Sequence, residues 1–308
     1  MADRSGSPLR RLGRLPFPLS PPPVPSGVEV PDRRRRYGAD YDTGWARRYP
    51  ARLARAAIVE GAVRPAMAAL ARPERRGLDR LDALADRGGP AIFAANHHSH
   101  VDTPLLVTSI PEPWRHGLFV GAAADYFFRG PISSAVSALV IGAVPIERSR
   151  VERRSADRAA RLIDAGWSML IFPEGGRSPD GWGQPFRGGA AYLAVRCGVP
   201  VVPVHVHGTG RILRKGRKTP SPGTARVTFG APLEPGDVDT RRFAAVIEDA
   251  VGALADEATT DWWSARRRAH AGATPPLVGP DAPAWRRAWA LGDPDRRRTR
   301  QRRAWPDL

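Results

Sequence analysis

Between about residue 85 and residue 235, short uninterrupted apolar runs alternate with longer segments whose apolar positions recur every three or four residues. AIFAA (91–95), GLFVGAA (117–123), VIGAVPI (140–146), SMLIF (168–172) and VPVVPVHV (199–206) read as strands. RRSADRAARLIDAG and GGAAYLAVRCG, lying between them, read as amphipathic helices. That alternation predicts an α/β fold with a largely parallel central sheet flanked by helices. TARVTFG (224–230) adds one strand, and DTRRFAAVIEDAVGALADEA a closing helix. Ahead of the sheet, ARLARAAIVEGAVRPAMAAL (51–70) is helical in pattern, with Pro65 expected to kink or divide it and its apolar positions to dock on the body. No internal repeat is visible.

The same pattern divides the chain. Residues 1–45, rich in Pro and Arg, cannot bury enough apolar surface to fold and are expected to be disordered. Residues 46–84 form an N-terminal helical segment, 85–259 the α/β domain, and 260–308 a second disordered basic tail, rich in Trp and Arg. No run of 18 or more uncharged apolar residues appears, so no spanning helix is predicted. The nearest approach, Gly130 to Ile146, is broken by Ser, Gly and Pro and reads as a buried helix followed by a strand. The first 25 residues lack a continuous apolar stretch and carry several prolines, which argues against a signal peptide. Membrane contact is therefore expected to be peripheral.

Charge sharpens the partners. The formal net charge is +17 and sits mostly at the ends: residues 1–36 hold eight Arg against three acids, residues 260–308 eleven against five. Basic ends suit anionic surfaces, phospholipid or nucleic acid, and charge alone does not choose. The single cysteine, Cys197, excludes an intramolecular disulfide and multi-cysteine zinc clusters, and its apolar surroundings make it a packing residue.

Every unusual polar cluster follows a predicted strand, where active residues of α/β sheets gather. Asn96 to Asp102, NHHSHVD, follows AIFAA and admits three readings. It can be a polar turn capping a helix. His98, His100 and Asp102, with His205 and His207, can be metal ligands, although the H-x-H-x-D-H zinc motif needs a histidine where Thr103 stands. Or His97 and Asp102 pair, a carboxylate orienting an imidazole that takes a proton from a hydroxyl. After SMLIF, Pro173 to Ser178 puts a carboxylate, Glu174, two glycines, Gly175 and Gly176, and a guanidinium, Arg177, in one loop suited to a small anionic polyol. Arg148, after VIGAVPI, and Arg187, in FRGGAAYLA, can add positive charge to the same rim.

NHHSHVD, GAVPIERS, FPEGGRS and VPVVPV, in this order, resemble the four motif blocks of the glycerolipid acyltransferases, the PlsC-like 1-acyl-sn-glycerol-3-phosphate acyltransferases, over about residues 85–235. The resemblance implies a glycerolipid-acyltransferase-like fold, His97 as general base and Asp102 as its partner. It implies that Arg148, Glu174, Gly175 and Arg177 bind the glycerol phosphate and that Pro203 shapes the cleft. His98 and His100 fall at variable positions of the block. The third block usually reads FPEGTRS, so Gly176 lacks a hydroxyl that could touch the acceptor.

The activity so implied is transfer of a fatty acyl group from acyl-CoA or acyl carrier protein to a lysophospholipid, with no metal and no resident cofactor, at the cytoplasmic face of a membrane. The tryptophans at 262, 263, 285, 289 and 305, interleaved with arginines, suit a tether to an anionic membrane surface. Two other classes stay open: a metal-dependent hydrolase using His98, His100 and Asp102, and a non-catalytic membrane- or nucleic-acid-binding protein on the same scaffold. Nucleic acid is the less expected partner.

Overall fold

The computed structural model describes residues 38–147, 153–213, 216–217 and 219–291. Arg148, Trp305 and the run Arg33 to Arg36 lie outside the described residues.

Seven strands make one sheet: β1 (Glu74–Arg76), β2 (Ile92–Ala95), β3 (Leu118–Ala123), β4 (Ala143–Ile146), β5 (Ser168–Ile171), β6 (Val201–His207) and β7 (Arg226–Phe229). Their spatial order is β1-β7-β6-β2-β5-β3-β4. The five strands from β6 to β4 are parallel, β7 runs antiparallel to β6, and β1 is added parallel to β7. Central β2 pairs on both sides, Ile92 standing opposite Met169 and Val201. Its residues are apolar throughout because both faces are covered: Ile92 and Ala94 enter one core cluster, Phe93 and Ala95 the other.

Helices supply those covers. α1 (Tyr49–Ile58) and α2 (Arg64–Ala71) are separated by a π-turn over Val59–Val63. Pro65 has no N–H to donate into the preceding turn, and the helix is divided there as expected. α3 (Asp82–Arg87), α4 (Asp102–Ser109), α5 (Ala124–Phe127) and α6 (Pro131–Val140) follow. Then come α7 (Arg153–Asp164), α8 (Gly189–Cys197), α9 (Thr209–Ile212) and α10 (Thr240–Thr259). Residues of α2, α3, α4 and α9 fill one cluster, those of α7, α8 and α10 the other. Cys197, half-buried, packs against the second cluster, and burial pushes its thiol up to about 11.

Several expectations are corrected. α6 does precede β4, but it buries only Ser134 and Ala138 and leaves Ile132 and Val136 exposed. β1 was not foreseen, because Glu-Arg-Arg is not an apolar run; backbone pairing with β7 makes it a strand. The N-terminal tail ends before residue 45: 3₁₀ turns span Gly38–Asp40 and Gly44–Arg47, Gly38 N–H donates to Phe128 O, and Ala46 is buried. At the other end, α11 (Trp262–His270) and α12 (Ala284–Ala290) occupy much of the segment predicted to be a disordered tail. Arg268 makes two 2.6 Å hydrogen bonds to the buried Asp256, and Gly183 N–H donates to Leu277 O. Polar anchors of this kind leave no periodic apolar signature.

Candidate active site

The ends of β2 and β5 carry the two unusual polar loops side by side. At the first, the buried amide of Asn96 donates to Val206 O and accepts from Val206 N–H, locking the end of β2 to β6. The chain then turns into α4, whose first residue is Asp102. Its Oδ2 accepts from His97 Nδ1 at 2.9 Å and from the N–H groups of His98 and Ser99, both at 2.7 Å. The turn ahead of α4 and the His–Asp pair thus share one oxygen, and α4 itself has no side-chain cap. Asp102 is fully buried, which by itself would raise its carboxyl. Hydrogen bonds from His97 and from the Ser99 N–H outweigh that burial and hold it below the usual carboxylate range.

An ionised carboxylate only accepts, so the proton of neutral His97 belongs on Nδ1 and Nε2 is left basic. The imidazole stacks on Phe172 at 4.1 Å and is 15% exposed, so it remains reachable.

The second loop is fastened to the first through Glu174. Its Oε1 accepts from His97 N–H at 2.8 Å and its Oε2 from Gln184 N–H at 3.0 Å, while Ser178 N–H donates to His97 O. Burial pushes the Glu174 carboxyl up to about 7, against the pull of those two donors. Glu174 thus accepts a backbone N–H on each oxygen and ties the two loops together. Gly175 has φ of +71°, and a Cβ there would come within 2.9 Å of Arg187 Nε, so only glycine admits both the turn and the guanidinium above it.

A cleft of about 550 Å³ opens beside this point, lined by Gly175 and Arg187 with Asp125, Glu147, Ala124, Gly38 and Ala39. Arg177 is half-buried; its charge, after burial, helps keep His100 below the ordinary histidine range. Pro203 lies in β6 opposite Ala94. Arg148 lies outside the described residues.

The metal reading loses its geometry. Burial lowers the pKa of His98, and the His100 ring stacks on Tyr126 and makes a 2.9 Å contact with its hydroxyl. His205 is buried, with Nδ1 making no hydrogen bond. Among the described residues no three His, Cys, Asp or Glu side chains are grouped to hold a metal ion. Phe172 and Gln184 were not singled out by sequence reasoning; both flank the PEGGRS loop, and adjacency to it was the available signal.

Residues 73–207 match the sequence model of the Acyltransferase family. The chain is 33% identical over 156 residues to a chloroplastic 1-acyl-sn-glycerol-3-phosphate acyltransferase of Brassica napus, covering 50% of this chain and 43% of that protein. It is 31% identical over 162 residues to a 1-acyl-sn-glycerol-3-phosphate acyltransferase of Pseudomonas aeruginosa, covering 52% and 58%. The chain thus spans about half the length of these relatives. The crystal structure of the 1-acyl-sn-glycerophosphate acyltransferase PlsC from Thermotoga maritima superposes with a TM-score of 0.56 at 25% identity, over 66% of this chain and 79% of that one. With the His97–Asp102 and Glu174 loops at the ends of β2 and β5, residues 73–207 carry an acyltransferase-like region similar to the 1-acyl-sn-glycerol-3-phosphate acyltransferases.

Proposed function

We propose that the chain is an O-acyltransferase that moves a fatty acyl group from acyl-CoA or acyl carrier protein to the free hydroxyl of a lysophospholipid. The acceptor named by its relatives, 1-acyl-sn-glycerol-3-phosphate, would give phosphatidic acid for phospholipid biosynthesis. The observation that carries the reading is the contact from His97 Nδ1 to a buried, ionised Asp102 in a chain whose relatives are named for this reaction.

In the mechanism, His97 Nε2 takes the proton of the acceptor hydroxyl as its oxygen attacks the thioester carbonyl. Asp102 stabilises the imidazolium. The tetrahedral intermediate then expels the thiolate, which takes the proton back from Nε2–H. A positioned base of this kind contributes about 10²–10⁴ in rate, and orientation of the two substrates supplies much of the rest. Arg177 and Arg187, with Arg148, are the cations assigned to the acceptor phosphate. Gly175 and Glu174 serve that site by shaping the loop. The enzyme works peripherally at the cytoplasmic face of a membrane, where its lipid acceptor lies; no helix among the described residues is long and apolar enough to cross one.

The test is an acyl-transfer assay on a panel of lysolipids with mass detection of product. His97→Ala is expected to abolish transfer, while His98→Ala and His100→Ala keep much of it. Equal loss from all three would overturn the assignment of the base.

A further inference from the structure

Helix α12 presents two indoles to solvent while its other side is fastened to the loop that follows PEGGRS. Trp285 and Trp289, one helical turn apart, are 67% and 79% exposed, and the Arg286 guanidinium lies 5.1 Å from the centre of the Trp285 ring. Large aromatic side chains rarely stay this exposed without a partner.

The inward side is polar and specific. Arg287 Nε donates to Asp180 Oδ2 at 2.7 Å, and Trp182 Nε1 donates back to Arg287 O at 3.0 Å. The Asp180–Trp182 loop leads directly to both fastenings of the candidate active site. Gly181 N–H donates to Ser178 Oγ, Ser178 N–H to His97 O, and Gln184 N–H to Glu174.

We propose that α12 is a lipid-docking strap: Trp285 and Trp289 enter the headgroup layer of an anionic bilayer beside Arg286, and the Arg287–Asp180 pair transmits that engagement to the active-site loop. Indoles at headgroup level with a neighbouring guanidinium on lipid phosphate form the composition of an interfacial helix. The charge is complementary along the chain, since residues 292–308 add six Arg against three Asp. Nucleic acid would use free aromatic faces for base stacking, whereas Arg286 already occupies a face of Trp285. The coupling half of the proposal rests on the acyltransferase reading; the docking half does not.

The experiment uses the full chain and vesicles of phosphatidylcholine with or without phosphatidylglycerol. Sedimentation is compared with acyl transfer to a vesicle-embedded long-chain lysophosphatidate and to a monomeric short-chain one. W285A/W289A is expected to bind anionic vesicles roughly tenfold more weakly and to lose transfer to the embedded acceptor in proportion, while keeping transfer to the soluble one. R286E, a second variant with its own fold check by thermal melting, should weaken binding to the phosphatidylglycerol vesicles specifically. R287A should keep vesicle binding and lose rate on the embedded acceptor.

Unchanged vesicle binding in W285A/W289A overturns the docking, as does a variant that loses binding only to a single-stranded oligonucleotide. An R287A with full rate on the embedded acceptor overturns the coupling. If the wild type transfers to neither acceptor while W285A/W289A still loses vesicle binding, the docking stands and the acyltransferase reading fails.

Discussion

Asp102 Oδ2 accepts from one imidazole and two backbone N–H groups, and each of those donors lies within five residues of it in the chain. That local closure makes one carboxylate both the shape of the NHHSHVD turn and the partner of the His97 imidazole. An amide in its place keeps an oxygen for those donors and so keeps the turn, but it removes the charge that stabilises an imidazolium, so its effect should fall on the chemical step. Asp102→Asn is expected to lower kcat by about 10²–10⁴, the range of a lost general base, and to leave the acceptor KM within about threefold. Steady-state kinetics on the lysolipid acceptor check this, and a variant that raises KM while holding kcat would move Asp102 from the chemistry to binding. His97 and Asp102 were legible because their spacing is itself a motif. Glu174 was legible as a residue but not in its role, since nothing in FPEGGRS says that both its oxygens are taken by the N–H groups of His97 and Gln184.

At the level of elements, the parallel strands could be read because each is a short apolar run buried on both faces, whereas what fastens the periphery could not. Arg55 is the clearest case. In sequence it is one of many arginines; in the fold it is buried on α1, and its guanidinium donates to Leu139 O and Ala138 O at the end of α6 and to Ala46 O. It therefore satisfies carbonyls that the end of a helix leaves without partners. Burial brings its pKa down to about 10, still far above neutral, so it stays charged there. Gly142, φ +64°, makes room for it: a Cβ would lie 3.0 Å from Arg55 Nη1. Arg55→Met keeps the bulk and removes the donors. It is expected to destabilise the protein by about 3 kcal/mol, from charged hydrogen bonds worth about 1.5–3 kcal/mol and the carbonyls left unsatisfied. The midpoint of denaturant unfolding measures this, and a loss under about 0.5 kcal/mol, ordinary for a surface site, would show that water serves those carbonyls equally well. α11 and α12 were missed for the same reason, being held by Arg268 on Asp256 and Arg287 on Asp180 and not by an apolar stripe.

Across the whole molecule, two sets of groups titrate with opposite consequences in one pH window. His98, His100, His205 and His207 all have pKa values lowered, first by burial. The unfolded chain therefore takes up their protons near 6.5 while the folded chain does not. Their contribution to stability is complete above that value and is lost as pH falls towards the folded values. Glu174 has the opposite sign: the folded state keeps its proton up to about 7, aided by the nearby charges of Asp102 and Glu248, and the unfolded state releases it near 4.5. Its contribution is complete below 4.5 and is lost as pH rises through 7. Four groups oppose one, so the unfolding free energy is expected to rise between pH 5 and pH 7.5. Glu174→Gln removes the opposing group and should steepen that rise, by at most about 1.4 kcal/mol per pH unit. His205→Phe, which replaces a buried ring whose Nδ1 makes no hydrogen bond, should flatten it. Urea unfolding at pH 5, 6, 7 and 8 separates the two, and parallel curves for wild type and Glu174→Gln would mean that the His97 and Gln184 N–H groups keep Glu174 ionised throughout the range.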